Sequence, residues 1–233
     1  TDLAYRLLLN EEYPGWLHEV KLGATTVWER WNSLDENGRI SSTGMNSLNH
    51  YSYGAVLEWI FRHVAGIDVT EQGPGGKMMR ISPKVDHKLG SASAVYDSAS
   101  GCYRCGWQIA NGDQITVTVT VPFGAKAQVI LPYAPDSVYH DTDNPLFETV
   151  ENGICCVKAG QYTVTYKAAS PLKKSYSVDS TLEDLLAEPA IRAFLSNMME
   201  VDMIPDLAYG LTLRQAAEAF AGGVSAEQAQ RLN

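Results

Sequence analysis

Residues 114–122, "QITVTVTVP", alternate apolar and hydroxyl side chains without a break. A period of two suits a strand with one buried face, and no helix can sort such a pattern onto one side. Ile115, Val117, Val119 and Val121 are therefore assigned to a core, with Thr116, Thr118 and Thr120 on the opposite face. One strand cannot bury that face alone, so the stretch demands partners. "AQVILP" at 127–132 and "QYTVTYKA" at 161–168 have the same character, and "NGD", "FGAK" and "ENG" supply turns between strands. The expectation for residues 68–170 is an antiparallel β-sandwich, with Trp107 in its core.

The flanks follow another grammar. In residues 1–67, "LAYRLLL" is short and apolar, and "AVLEWIFRHVAG" sets Val56, Trp59, Ile60, His63 and Val64 at helical spacing before Gly66 as a C-cap. Between them runs "NSLDENGRISSTGMNSLNHYSYG", a loop of a length that is usually functional in a compact domain. Two helices and a loop cannot enclose a core, so this segment is expected to be the end of a larger helical domain. In residues 171–233 a polar linker leads to helices. Ser180 with Glu183 and Ser225 with Gln228 read as capping boxes, and Leu182, Leu185, Leu186, Ile191, Phe194 and Leu195 as one packed side.

Composition removes several functions. A net charge of -9, from 27 acidic and 18 basic residues, opposes a phosphate-neutralising surface, so no nucleic acid is expected as a partner. No apolar run is long enough to span a bilayer, so no membrane is expected either. The four cysteines could suggest zinc, but adjacent Cys155 and Cys156 point to opposite faces of a strand and cannot share one tetrahedral ion. Neither metal nor cofactor is expected, and reduced cysteines suit a cytoplasmic location.

Three ordered motifs carry more information: "YPGWLHEVKLGATTVWERW", "GMNSLNHYSYGAVLEWIFRHVAGI" and "PGGKMMRISPK". Over roughly residues 1 to 166 the chain resembles the C-terminal part of bacterial α-L-rhamnosidases of glycoside hydrolase family 78. The resemblance implies a multidomain α and β chain. Its order is the last helices of an (α/α)6 barrel in 1–67, the family's C-terminal β-sandwich in 68–170, and a small helical appendage in 171–233 outside the common core. It also implies hydrolysis of terminal α-L-rhamnose from glycosides with inversion, in which an acid protonates the leaving oxygen and a carboxylate activates water. By motif, Glu29 resembles the general base and His50 a residue that hydrogen-bonds the rhamnose ring, with Trp28 and Trp31 as apolar walls or sugar-facing surface. The general acid belongs to earlier barrel loops. Glu11, Glu12 and Glu19 lie in stretches that match no such motif, so the missing N-terminal part of the polypeptide is an implied partner.

Each of these residues also has a plainer role. Glu29 in isolation would pair with Arg30, and His50 would be a turn histidine. His63 reads as packing or surface, while Asn46 and Asn49 read as holding the loop's backbone through side-chain hydrogen bonds. A different class of function would be a carbohydrate-binding or docking sandwich. It would need exposed aromatics on one face, and Tyr96, Tyr103, Tyr133 and Tyr139 are the candidates. A third is structural, with an uncovered barrel face favouring a homo-oligomer.

Overall fold

The computed structural model describes residues 2–35, 37–42, 44–141, 143–197, 201, 204 and 208–219. They form two compact units, Thr1–Leu172 and Lys173–Asn233.

The first unit begins with α1 (Asp2–Leu8) and a short α2 (Trp16–Lys21), the latter not expected from the sequence because six residues cannot display a helical period. The expected "AVLEWIFRHVAG" helix is present in three pieces. A 3-10 turn at Ser52–Ala55 leads into α3 (Val56–Trp59), and a π-helical turn at Ile60–Val64 ends it. The π turn closes with Ala65 N–H donating to the Ile60 carbonyl. Tyr5 of α1 meets Trp59 edge to face at 5.3 Å and donates its hydroxyl proton to the Lys84 carbonyl.

Among the described residues nine strands follow: β1 (Ile67–Val69), β2 (Met78–Ile81), β3 (Ser91–Ser98), β4 (Gly101–Ala110), β5 (Gln114–Val121), β6 (Lys126–Val129), β7 (Val150–Glu151), β8 (Ile154–Val157) and β9 (Gly160–Lys167). They make a five-stranded sheet in the order β1-β2-β6-β8-β7 and a four-stranded sheet in the order β3-β4-β5-β9. Residues of both sheets share one core with Tyr5 and Val64. β5 behaves as its alternation dictates, with Ile115, Val117, Val119 and Val121 all buried. On its other face Thr116 and Thr165 hydroxyls lie 2.9 Å apart. Cys155 is buried and Cys156 exposed, as period two requires of neighbours.

The sandwich is not wholly antiparallel. β2 and β6 pair in parallel, Met78 opposite Lys126 and Ile81 opposite Val129. Parallel neighbours need a crossover between them, and here the crossover is β3, β4 and β5, which belong to the other sheet. "FGAK" is consequently a corner between sheets, closed by Ala125 N–H on the Pro122 carbonyl, rather than a hairpin turn. "ENG" is a hairpin: Glu151 pairs with Ile154, and Asn152 and Gly153 both take positive φ.

The helical segment and the sandwich meet at Gly66. Its φ is +80°, and a Cβ there would lie 2.2 Å from Pro83 N, so only glycine fits. The carbonyls at the helix end have no partner within the helix. Lys84 N–H donates to His63 O and Ser82 N–H to Gly66 O, each at 2.8 Å, while the Trp107 indole N–H donates to Val64 O at 2.7 Å.

The four tyrosines do not make a platform. Tyr103 is fully buried, its single hydroxyl proton lying between the carbonyls of Gly76 and Lys126. Tyr139 is half-buried against Phe147, and only Tyr96 and Tyr133 are exposed.

The second unit has its own core around Leu182, Leu185, Leu195 and Leu213, built on α4 (Leu182–Leu186), α5 (Pro189–Ser196) and α6 (Leu213–Ala219). Phe194 is 41% exposed and so lies outside the packed side expected for it. The α4 cap is Thr181, not Ser180: its hydroxyl accepts from Asp184 N–H, while Ser180 Oγ accepts from Ser177 N–H. Thr212 caps α6 in the same way, its hydroxyl accepting from Gln215 N–H, and Thr181 and Thr212 form an antiparallel bridge. Two Thr-Leu helix starts thus face each other across that bridge. The expected box at Ser225 and Gln228 lies outside the described residues.

Trp107→Phe keeps most of the apolar volume but leaves Val64 O buried without a donor. A loss of about 1–3 kcal/mol is expected, measured as a lower urea midpoint; an unchanged midpoint would show the bond to be dispensable.

Candidate functional site

The expected site residues lie on two segments that the backbone joins. Residues 26–29 run beside 47–50 and are joined to them by backbone hydrogen bonds. His50 N–H donates to Val27 O at 2.8 Å, Glu29 N–H to Ser47 O at 2.9 Å, and the Thr26 hydroxyl to Leu48 O. In a regular antiparallel pair residue 49 would occupy the place that His50 takes, so the 47–50 segment carries one extra residue. The Ser47 hydroxyl absorbs it, accepting from Asn49 N–H at 3.1 Å and donating to Asn49 O at 3.0 Å. The pairing sets Glu29 and His50 on adjacent strands of chain, both half-buried.

Below this pair the loop is fastened by buried polar groups. Ser33 is fully buried. Its hydroxyl accepts from Arg30 N–H at 3.2 Å, and its carbonyl accepts from the Asn46 amide at 2.9 Å and from Ser41 N–H at 3.0 Å. Asn46 therefore braces the backbone, as its side chain suggested; at position 49 the brace comes from the neighbouring serine hydroxyl.

The two tryptophans separate sharply. Trp28 is 2% exposed and serves as packing. Trp31 is half-buried and stacks on Tyr53 at 4.6 Å with the rings nearly parallel. Trp16 of α2 closes the group edge-on to Trp31 at 5.8 Å and donates its indole N–H to Tyr53 O at 3.1 Å. His50 stacks on the exposed Tyr51 ring at 5.3 Å. Its Nδ1 accepts from Ser52 N–H at 3.3 Å, which assigns the ring proton of the neutral form to Nε2.

Sequence reasoning missed Glu19. It lies on α2 three residues after Trp16, hence on the same face, and is 3% exposed. Its Oε2 accepts from Trp28 N–H at 3.4 Å, and its Oε1 is buried with no hydrogen-bonding partner among the described residues. Burial raises the carboxyl's affinity for its proton, while the bond from the Trp28 amide pulls more weakly the other way. Trp31 Nε1 and Asn46 Oδ1 are likewise buried without a partner among the described residues. Such groups cost about 1–3 kcal/mol each, and three of them gather here. Tyr53, Trp16 and Ser33 were also not singled out from the sequence; the only signal was their density of aromatic and hydroxyl side chains.

Among the described residues no group of three or more His, Cys, Asp or Glu is placed to hold a metal ion, and no helix is long and apolar enough to cross a membrane.

Comparison with known proteins bears on the same residues. Residues 1–64 match the bacterial alpha-L-rhamnosidase six-hairpin glycosidase domain, and residues 66–144 match the bacterial alpha-L-rhamnosidase C-terminal domain. An alpha-L-rhamnosidase of Alteromonas sp. (strain LOR) is 39% identical over 164 residues, covering 70% of this chain and 17% of that protein. One from Formosa agariphila is 38% identical over 151 residues, 65% of this chain and 16% of its own length. Among solved structures, Streptomyces avermitilis alpha-L-rhamnosidase complexed with L-rhamnose shares 33% identity with a TM-score of 0.61, over 72% of this chain and 16% of that one. The chain thus spans about a sixth of the length of these relatives, with the boundary between the two matched domains falling at the Gly66 junction. It belongs to the bacterial α-L-rhamnosidase family of glycoside hydrolases.

Proposed function

We propose that this chain carries the general base of an inverting α-L-rhamnosidase, within the last helices of an (α/α)6 barrel. Residues 1–67 are read as that barrel portion, 68–170 as the C-terminal sandwich and 171–233 as linker and helical tail. The observation that carries the reading is the backbone pairing of 26–29 with 47–50, in which Glu29 N–H donates to Ser47 O and His50 N–H to Val27 O, so that the two residues lie on neighbouring segments.

Chemically the set is sufficient for half of the reaction. Glu29 is held through its backbone amide, and its carboxylate, which has no hydrogen bond or ion pair among the described residues, takes a proton from water as that water attacks the anomeric carbon. His50, with its proton on Nε2, has a donor to offer a sugar hydroxyl. Trp31, backed by Tyr53, has the exposure to wall a sugar ring, a part that Trp28 cannot take from its buried position. Inversion needs an acid on the other face of the sugar, roughly 6.5–9.5 Å from the base to leave room for water. We assign that acid to barrel loops beyond these residues.

One feature favours an incomplete barrel. Leu3, Val20, Leu57 and Phe61 lie on the helical elements and are exposed, as amphipathic helices are when their packing partners are missing.

The test is hydrolysis of an aryl α-L-rhamnoside. The polypeptide comprising the complete barrel is expected to release β-L-rhamnose first, seen by NMR before mutarotation, and Glu29→Gln to lower kcat by about 10²–10⁴-fold. Near-normal turnover by Glu29→Gln would remove Glu29 from the role. The present chain alone is expected to give no turnover above background, since acid and base must act together; substantial hydrolysis by it would overturn the divided site.

A further inference from the structure

We infer that Glu19 is a positioning residue for Glu29: its buried carboxylate holds the segment that carries the base, on the side away from residues 47–50.

The hydrogen bonds of residues 27–29 divide between two sets of partners. On one edge of 27–29, Val27 O and Glu29 N–H are taken up by His50 and Ser47. The other edge has one donor, the Trp28 amide, and among the described residues no strand pairs with it. Glu19 Oε2 fills that place at 3.4 Å. The carboxylate thus substitutes for a missing strand, and Glu29 sits one peptide beyond the bond it makes.

Glu19 is itself fixed. Its carbonyl accepts from Ala24 N–H at 3.0 Å, where the chain leaves α2 and turns back toward Thr26. Trp16, on the same face of α2, packs against Trp31. One helical turn therefore touches the "WERW" segment at both ends, through an indole at Trp31 and a carboxylate at Trp28. Simple packing would not retain an acid here, because a leucine of similar size would fill the volume without burying an unpartnered oxygen. What leucine lacks is the acceptor.

Glu19→Gln keeps an acceptor in place and Glu19→Leu removes it. In this chain, amide hydrogen exchange followed by NMR is expected to quicken at least about tenfold at Trp28 and Glu29 in Glu19→Leu. The amides of Ile115 and Val117 in the sandwich are expected to stay as they were, and Glu19→Gln to remain near the parent. Should Glu19→Leu not fold, Glu19→Asp, which withdraws the acceptor by one methylene, takes its place with the same expectation. Unchanged exchange at Trp28 and Glu29, or Glu19→Gln behaving like Glu19→Leu, overturns the inference.

The kinetic consequence rests on the reading of Glu29 as base. In the complete-barrel polypeptide, Glu19→Leu is expected to lower kcat about 10- to 100-fold with KM within about twofold, and Glu19→Gln to recover most of it. A rise in KM with kcat intact would mean that Glu19 serves substrate binding and not the base. If the exchange results hold while Glu29→Gln retains activity, the clamp stands and the assignment of the base fails.

Discussion

Three carbonyls at the end of one helix hold the first unit together. A helix terminus leaves such groups without partners, and a chain passing directly from helix to sheet has few residues with which to cap them. Here the sandwich itself supplies the donors, two backbone amides and the Trp107 indole. The turn that permits this passes so close to Pro83 that only a glycine can occupy position 66. Helix and sandwich are accordingly not two bodies on a tether: Val64 belongs to the same core as Ile115 and Tyr103.

The site lies at the other end of that helix. Residues 47–50 lead into the turn at Ser52–Ala55, so the strand-like partner of the Glu29 segment is an extension of the element that the sandwich anchors. Rigidity reaches Glu29 by three routes: the pairing with 47–50, the buried Ser33 and Asn46 brace, and the contacts from α2. On the proposal that Glu29 is the base such supports would matter, because a carboxylate displaced by an ångström loses much of its value in that role.

What could be read from the sequence, and what could not, divides by range. β5 was legible because period two is a local property, and the same logic foretold the split between Cys155 and Cys156. The "ENG" turn was legible because positive φ at adjacent positions selects Asn and Gly. The parallel β2–β6 pairing was not, since nothing in either strand records that three strands of another sheet intervene. Ser180 and Thr181 are both good caps, and the choice fell to Thr181 because its partner across the bridge is Thr212, which is distant in sequence. At the site, motifs pointed to Glu29, His50 and the two tryptophans. They could not tell that Trp28 faces inward, or that Glu19 lies behind it, because a six-residue helix gives no period from which to infer a buried face.

The crossover between β2 and β6 also bears on how the chain reaches this state. β3, β4 and β5 are joined by short turns, and their pairings close small loops at little entropic cost. β2 finds its neighbour β6 only after all three have been traversed, and β6 then pairs with β8 across a further long connection. The β3–β4–β5 hairpins are therefore local, whereas the β2–β6 and β5–β9 pairings each join distant parts of the chain, the kind of contact that slows folding. The Gly66 junction abuts Pro83, just beyond the end of β2, so the helix that follows residues 47–50 is tied to one of those long-range strands.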